Sequence, residues 1–215
     1  LGNPPFGHYG EKVIRKWYEN KIVKKKKDSD SHYTMEQQDA DFVYFDGNVQ
    51  NLRIITKLQT MNDQYGVNFT YGTLAAVIKY PYSSMDVSDA NGKFGYFKSE
   101  EDIVKDIWEH TGLQKGIRHP ATYLLEAADD IVYICDDIED GVKKGYIPWA
   151  KEYENLKSEF EADIKYKQLF KSIDNKKADE GLGEQEILLA NVRLFRNYIQ
   201  GYLMKTAIKA FFENY

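Results

Sequence analysis

Cysteine is all but missing from this chain. Cys135 stands alone among 215 residues, which excludes an internal disulfide and any metal cluster built from several cysteines, and fits a reducing compartment. No apolar run reaches the roughly 20 residues that a bilayer-spanning helix needs, and the N-terminal stretch has neither the basic start nor the apolar segment of a secretory signal. Excess positive charge is missing too. Lys and Arg number 29 against 34 Asp and Glu, leaving −5, which argues against a general nucleic-acid binder because phosphate backbones reward a basic surface. Alternating strand patterns and internal repeats are absent. A soluble, cytoplasmic protein with no membrane association is expected.

What the chain does have is helical periodicity and enough apolar content, 42%, to bury a sizeable core in one domain or at most two. Gly10 to about Asn20 reads as a short amphipathic helix, and Lys24 to Ser31 as a polar surface loop. From about Asp39 to Thr60, Phe42, Phe45, Val49, Leu52 and Ile55 recur at three and four residues, predicting one core-facing helix. Thr73 to Lys79 is a shorter helix stopped at Tyr80-Pro81, and Ser83 to Tyr96 reads as a loop. Further helices are expected over Ser99 to His110, Ala121 to Gly141 and Ile187 to Glu213. The fold class is mainly α. The 17 tyrosines and 11 phenylalanines are read as core and helix packing, with a few exposed rings able to stack on bases, and Trp17, Trp108 and Trp149 carry no functional signal.

The helix around Asp129 can be resolved by angle at about 100° per residue. Leu124, Ala128, Ile131, Cys135 and Ile138 fall in a stripe about 80° wide, the core face, which makes Cys135 an inert buried thiol. Asp129, Tyr133 and Asp137 line the opposite face. Glu126, Asp130, Asp136, Glu139 and Asp140 crowd the same turns with few lysines. Such a surface is either solvated or supported by a cation or a cleft, and the helix alone does not decide.

The opening stretch Gly2-Asn3-Pro4-Pro5-Phe6-Gly7-His8-Tyr9-Gly10-Glu11 sets a histidine and a carboxylate three residues apart behind a rigid turn. That spacing can put both on one face of a starting helix, suited to proton transfer or, more plainly, to capping the helix. This block, together with Arg118-His119-Pro120-Ala121-Thr122-Tyr123-Leu124-Leu125-Glu126-Ala127-Ala128-Asp129-Asp130-Ile131 and Asp137 to Gly141, resembles the dGTP triphosphohydrolase family of the HD-domain superfamily. Phe45 to Arg53, Lys79-Tyr80-Pro81 and the segment from Asn197 to Tyr215 resemble family blocks in the same order, so the likeness runs along almost the whole chain.

The resemblance implies an HD-domain-like helical bundle over residues 1–215 as part of a larger domain. It also implies a metal-dependent hydrolase that converts a deoxynucleoside triphosphate, dGTP foremost, into deoxynucleoside and intact triphosphate. His8 and Glu11 match the catalytic pair, with Glu11 orienting the imidazole. Asp129 matches one ligand of a divalent ion, for which Mn, Mg, Fe and Co are all suitable. Tyr133 matches the residue against the deoxyribose and Asp137 the acceptor of its 3′-hydroxyl. Lys79 and Tyr80 match phosphate contacts, and Lys93 and Asn48 are further candidates. The family's other metal ligands, a histidine and an adjacent His-Asp pair, have no counterpart, and neither His32 nor His110 sits in a matching context. The chain is therefore expected to be a piece of a longer enzyme, inactive alone, that acts as a homo-oligomer with nucleotide effectors. The competing class is a noncatalytic module binding nucleotide or single-stranded DNA through Lys24 to Lys27 and exposed aromatics.

Overall fold

The computed structural model describes residues 2, 4–59, 64–87, 92–175 and 183–214, and every regular element among them is helical. The protein is all-α. It divides into two units, Leu1–Leu125 and Glu126–Tyr215, each with its own core.

The first unit opens with α1 (Gly7–Tyr18), which continues through a π turn into α2 (Lys24–Ser29). The loop expected over Lys24 to Ser31 is thus helical as far as Ser29. Lysines are good helix formers, and Lys26 reaches back to both carboxylate oxygens of Asp39, at 2.7 and 2.8 Å. Asp39 is buried and also accepts from the hydroxyls of Tyr18 and Tyr33. Burial and that carboxylate push both phenols up to about 12.

The single helix expected over Asp39 to Thr60 is two, with Thr60 itself outside the described residues. α3 (Gln37–Val43) ends at Tyr44, and α4 (Gly47–Arg53) starts afresh behind Asp46, whose carboxylate accepts the Asn48 N–H. Apolar spacing continues across the break because both helices face the same interior, so periodicity alone runs through it. α5 (Tyr71–Val77) and α6 (Glu101–Thr111) lie close to their expected spans. Within the expected loop Ser83 to Tyr96, Ser84–Asp86 forms a 3-10 turn closed by a Ser83/Asp86 capping box; residues 88–91 are outside the described set.

Two cores hold this unit. Leu52 and Ile55 pack with Leu74, Ala75 and Ile78 and with Val104 and Ile107. Phe45, Val49, Phe94 and Phe97 form the other, against which α1 lays Ile14. Arg53 joins the two regions, pairing with buried Glu100 at 3.1 Å while its guanidinium covers the Phe97 ring at 4.1 Å.

α7 (Thr122–Lys143) crosses the division at Leu125, and the second unit continues with α8 (Trp149–Glu159), α9 (Ile164–Asp174) and α10 (Glu184–Asn214). α7 and α10 follow their expected spans; α8 and α9 carry too many charged residues for their apolar stripes to stand out. Trp149, Tyr153, Phe170, Ile173, Val192 and Phe195 make the core. Among the described residues no helix is long and apolar enough to cross a membrane.

Candidate functional site

The opening turn is tightly determined. Gly7 N–H donates to Pro4 O and Gly10 N–H to Phe6 O, while Phe6 itself takes a left-handed conformation, φ 64°, at a cost of about 1–2 kcal/mol for a residue with a side chain. A Cβ on Gly10 would lie 2.0 Å from Pro5 O, so the return of α1 over the Pro-Pro turn requires glycine there. Leu1 and Asn3 are outside the described residues.

α1 starts without a side-chain cap, so His8 and Glu11 are not a capping pair. His8 is exposed. Glu11 is buried, and its Oε1 accepts the Gly47 N–H at 2.8 Å; among the described residues no hydrogen bond joins the two side chains. Gly2 comes in beside the same point, since a Cβ on it would sit 2.2 Å from Gly47 O. The turn, Glu11 and the start of α4 therefore converge.

Asp46, the residue before Gly47, is fully buried. Its Oδ1 accepts from the Asn48 N–H and from the Asn48 side-chain amide, both at 2.7 Å, and its Oδ2 pairs with the Lys93 ammonium. Arg15, one turn beyond Glu11, donates through Nε to Phe45 O at 2.5 Å and brings Nη2 to 3.8 Å from Asp46. Burial alone would push the Asp46 carboxyl up; the Lys93 ammonium and the Asn48 donors outweigh it and hold it below its ordinary value. Lys93 is mounted on a firmly seated loop. Gly92 has φ +58° with the Tyr44 ring against it, Phe94 is in the core, and a Cβ on Gly95 would stand 1.9 Å from Tyr80 O.

Through Gly95 the loop meets the Lys79-Tyr80 segment. Arg118 holds that segment from another side, donating to Lys79 O at 2.9 Å and setting its guanidinium 5.8 Å from the Tyr80 ring and 5.7 Å from that of Tyr123. Five sequence-derived candidates, Glu11, Asn48, Lys79, Tyr80 and Lys93, thus lie on neighbouring segments of one unit. Asp46, Arg15 and Arg118 were not singled out for the site, although Asp-Gly-Asn is an N-cap signature that could have drawn attention to Asp46.

In the second unit Asp129, Tyr133 and Asp137 lie exposed on one face of α7, opposite buried Cys135. Burial, with Asp136 adding to it, pushes the Cys135 thiol up, as suits an unreactive core residue. The acidic crowding on α7 is compensated partly by its own Lys143 and partly from α10, a partner invisible in the helix's own sequence. Buried Glu139 pairs with Lys143 at 2.7 Å, Arg193 at 3.1 Å and Arg196 at 2.5 Å, and Asp136 with Arg196 at 3.2 Å. The Lys143 hydrogen bond leads in holding the Glu139 carboxyl below its ordinary value, against burial and with help from both arginines.

Among the described residues no three His, Cys, Asp or Glu side chains gather as a metal-binding group. One carboxylate, that of Asp129, does not by itself make a divalent-ion site, so these residues by themselves do not fit the expected metal. Of the lysines raised as nucleic-acid contacts, Lys26 is turned back onto Asp39.

No family model matches the chain. Curated proteins do. The deoxyguanosinetriphosphate triphosphohydrolase-like protein of Listeria monocytogenes is 39% identical over 220 aligned residues, covering 100% of this chain and 47% of the relative. Its namesake from Synechocystis is 35% identical over 179 residues, 76% of this chain and 40% of the relative. The deoxyguanosinetriphosphate triphosphohydrolase of Yersinia enterocolitica is 28% identical over 187 residues, 74% and 36% respectively. The chain spans about half the length, or less, of the curated relatives it matches.

Proposed function

The chain belongs to the deoxyguanosinetriphosphate triphosphohydrolase-like family, and from that premise we propose that it forms part of a hydrolase that splits deoxynucleoside triphosphates, dGTP foremost, into deoxynucleoside and triphosphate. The observation that carries this reading is the meeting of Glu11, Gly47, Asn48 and Lys93 around buried Asp46. Residues from two separate blocks of family resemblance, together with the candidate phosphate lysine Lys93, come together there, as they would to receive one substrate.

In this reading a water oxygen bonds to the α-phosphorus, the bond from that phosphorus to the 5′-oxygen breaks, and the 5′-oxygen takes up a proton. His8 moves that proton; it is exposed at the first turn of α1, where substrate has access. Glu11 fixes the first turn of α1 to α4 through Gly47 and so sets where His8 stands. Asn48, Lys79, Tyr80 and Lys93 contact the phosphates, as hydrogen-bond donors and ammonium groups suit. By family resemblance Tyr133 would exclude a 2′-hydroxyl and Asp137 would accept from the 3′-hydroxyl of the sugar. Asp129 would be one ligand of a divalent cation, which would supply Lewis-acid activation of the attacking water. Homo-oligomer formation and nucleotide effectors belong to the same reading.

The test is an assay of the complete polypeptide carrying this chain, with each of the four dNTPs and added Mn²⁺. Equal release of deoxynucleoside and triphosphate is expected, and His8→Ala should cut turnover by about 10²–10⁴-fold with unchanged helical circular dichroism. Release of pyrophosphate with a nucleoside monophosphate, or near-normal turnover in His8→Ala, rejects the assignment.

A further inference from the structure

We infer that Asp46 is a positioning residue for triphosphate recognition, its carboxylate holding the Asn48 amide and the Lys93 ammonium in place for the incoming phosphate oxygens; this rests on the function proposed above. A helix cap needs only one acceptor, and Oδ1 supplies it to the Asn48 N–H. The same oxygen also takes the Asn48 side-chain amide, and Oδ2 is given over to cations, Lys93 in direct contact and Arg15 at 3.8 Å. The carboxylate thus does more than close α4.

The layering of charge supports the assignment. The Asp46 side chain is 0% exposed, whereas those of Arg15 and Lys93 are 23% and 33% exposed, and Glu11 is buried as well. The carboxylates lie inward and the cations outward, so an approaching anion meets the ammonium and guanidinium first. An ammonium has three N–H donors, so Lys93 can keep Asp46 and still offer donors to a phosphate oxygen. A free lysine side chain loses rotamer freedom when it grips a ligand. One already tethered by a buried carboxylate, on a backbone seated by Gly92, Phe94 and Gly95, has lost most of that freedom on folding.

The experiment uses the complete polypeptide and two probes, inorganic tripolyphosphate for binding by calorimetry and dGTP for turnover. Asp46→Asn retains a capping oxygen and removes the charge, and Asp46→Ser, also a good cap, serves if the asparagine variant folds poorly. Asp46→Asn and Lys93→Ala should each weaken tripolyphosphate on the order of tenfold and raise KM for dGTP with little change in kcat. The double variant should be no worse than Lys93→Ala alone, a non-additivity that a purely structural cap would not produce. Wild-type affinity in both Asp46 variants, or losses that multiply in the double variant, overturns the inference while leaving the hydrolase reading intact. If the wild-type polypeptide hydrolyses no dNTP, the hydrolase reading fails and this inference falls with it.

Discussion

The carboxylate of Glu11 accepts the backbone N–H of Gly47 at 2.8 Å, across 36 positions of chain. Glu11→Ala would leave that N–H buried without an acceptor, and about 1–3 kcal/mol of stability should be lost. Glu11→Gln keeps an oxygen in place and should lose less. Urea unfolding of both variants checks the ordering; equal losses would show that the hydrogen bond carries no weight. A fall in kcat for Glu11→Gln at near-native stability would assign the charge itself to turnover.

Folding lowers the Asp46 pKa, because Lys93 and Asn48 outweigh the opposing effect of burial. The stabilisation is complete above the unfolded carboxylate's value of about 3.9 and drains away as pH falls through the lower folded value. Between roughly pH 5 and 2 the urea midpoint of the wild-type protein should therefore drop more steeply than that of Asp46→Asn. Parallel profiles would mean that the carboxylate gains nothing from its partners.

Gly95 and Gly201 make a matched pair of opposite sign. A methyl group on Gly95 would stand 1.9 Å from Tyr80 O, whereas nothing lies within 4 Å of one on Gly201 in the interior of α10. Gly95→Ala should cost about 1–3 kcal/mol through a forced backbone shift, and Gly201→Ala should gain about 0.5–1 kcal/mol by restricting the unfolded chain. Thermal melts of the two variants provide the comparison.

Glu139→Ala would strand Lys143, Arg193 and Arg196 beside one another. Because these three are partly solvated, the loss should be about 1–2 kcal/mol rather than that of a fully buried pair. Raising the salt concentration should recover part of it by screening the leftover repulsion. A salt-independent loss would point to packing instead.

Helix content was legible in the sequence where one apolar face dominates, as in α6 and α7, and over the long apolar-rich α10. Legibility failed where a helix boundary or a charge depends on a distant partner. Asp46 reads as a helix cap from its own Asp-Gly-Asn sequence, but its meaning as a counter-ion comes from Lys93, 47 positions away. Lys26 reads as part of a solvated run until Asp39 is folded beneath it. The acidity of α7 looks uncompensated until Arg193 and Arg196 arrive from α10. Family resemblance named Glu11, Asn48 and Lys93, but only the fold shows the carboxylate that joins the last two.

The Pro5 carbonyl that crowds Gly10 has an evolutionary corollary. Tyr9, Lys12 and Val13 all point outward, so lineages can drift there and a randomised library across this stretch should return broad diversity at those sites. At position 10 the same library should return glycine alone, and its invariance would record backbone crowding rather than any demand of catalysis.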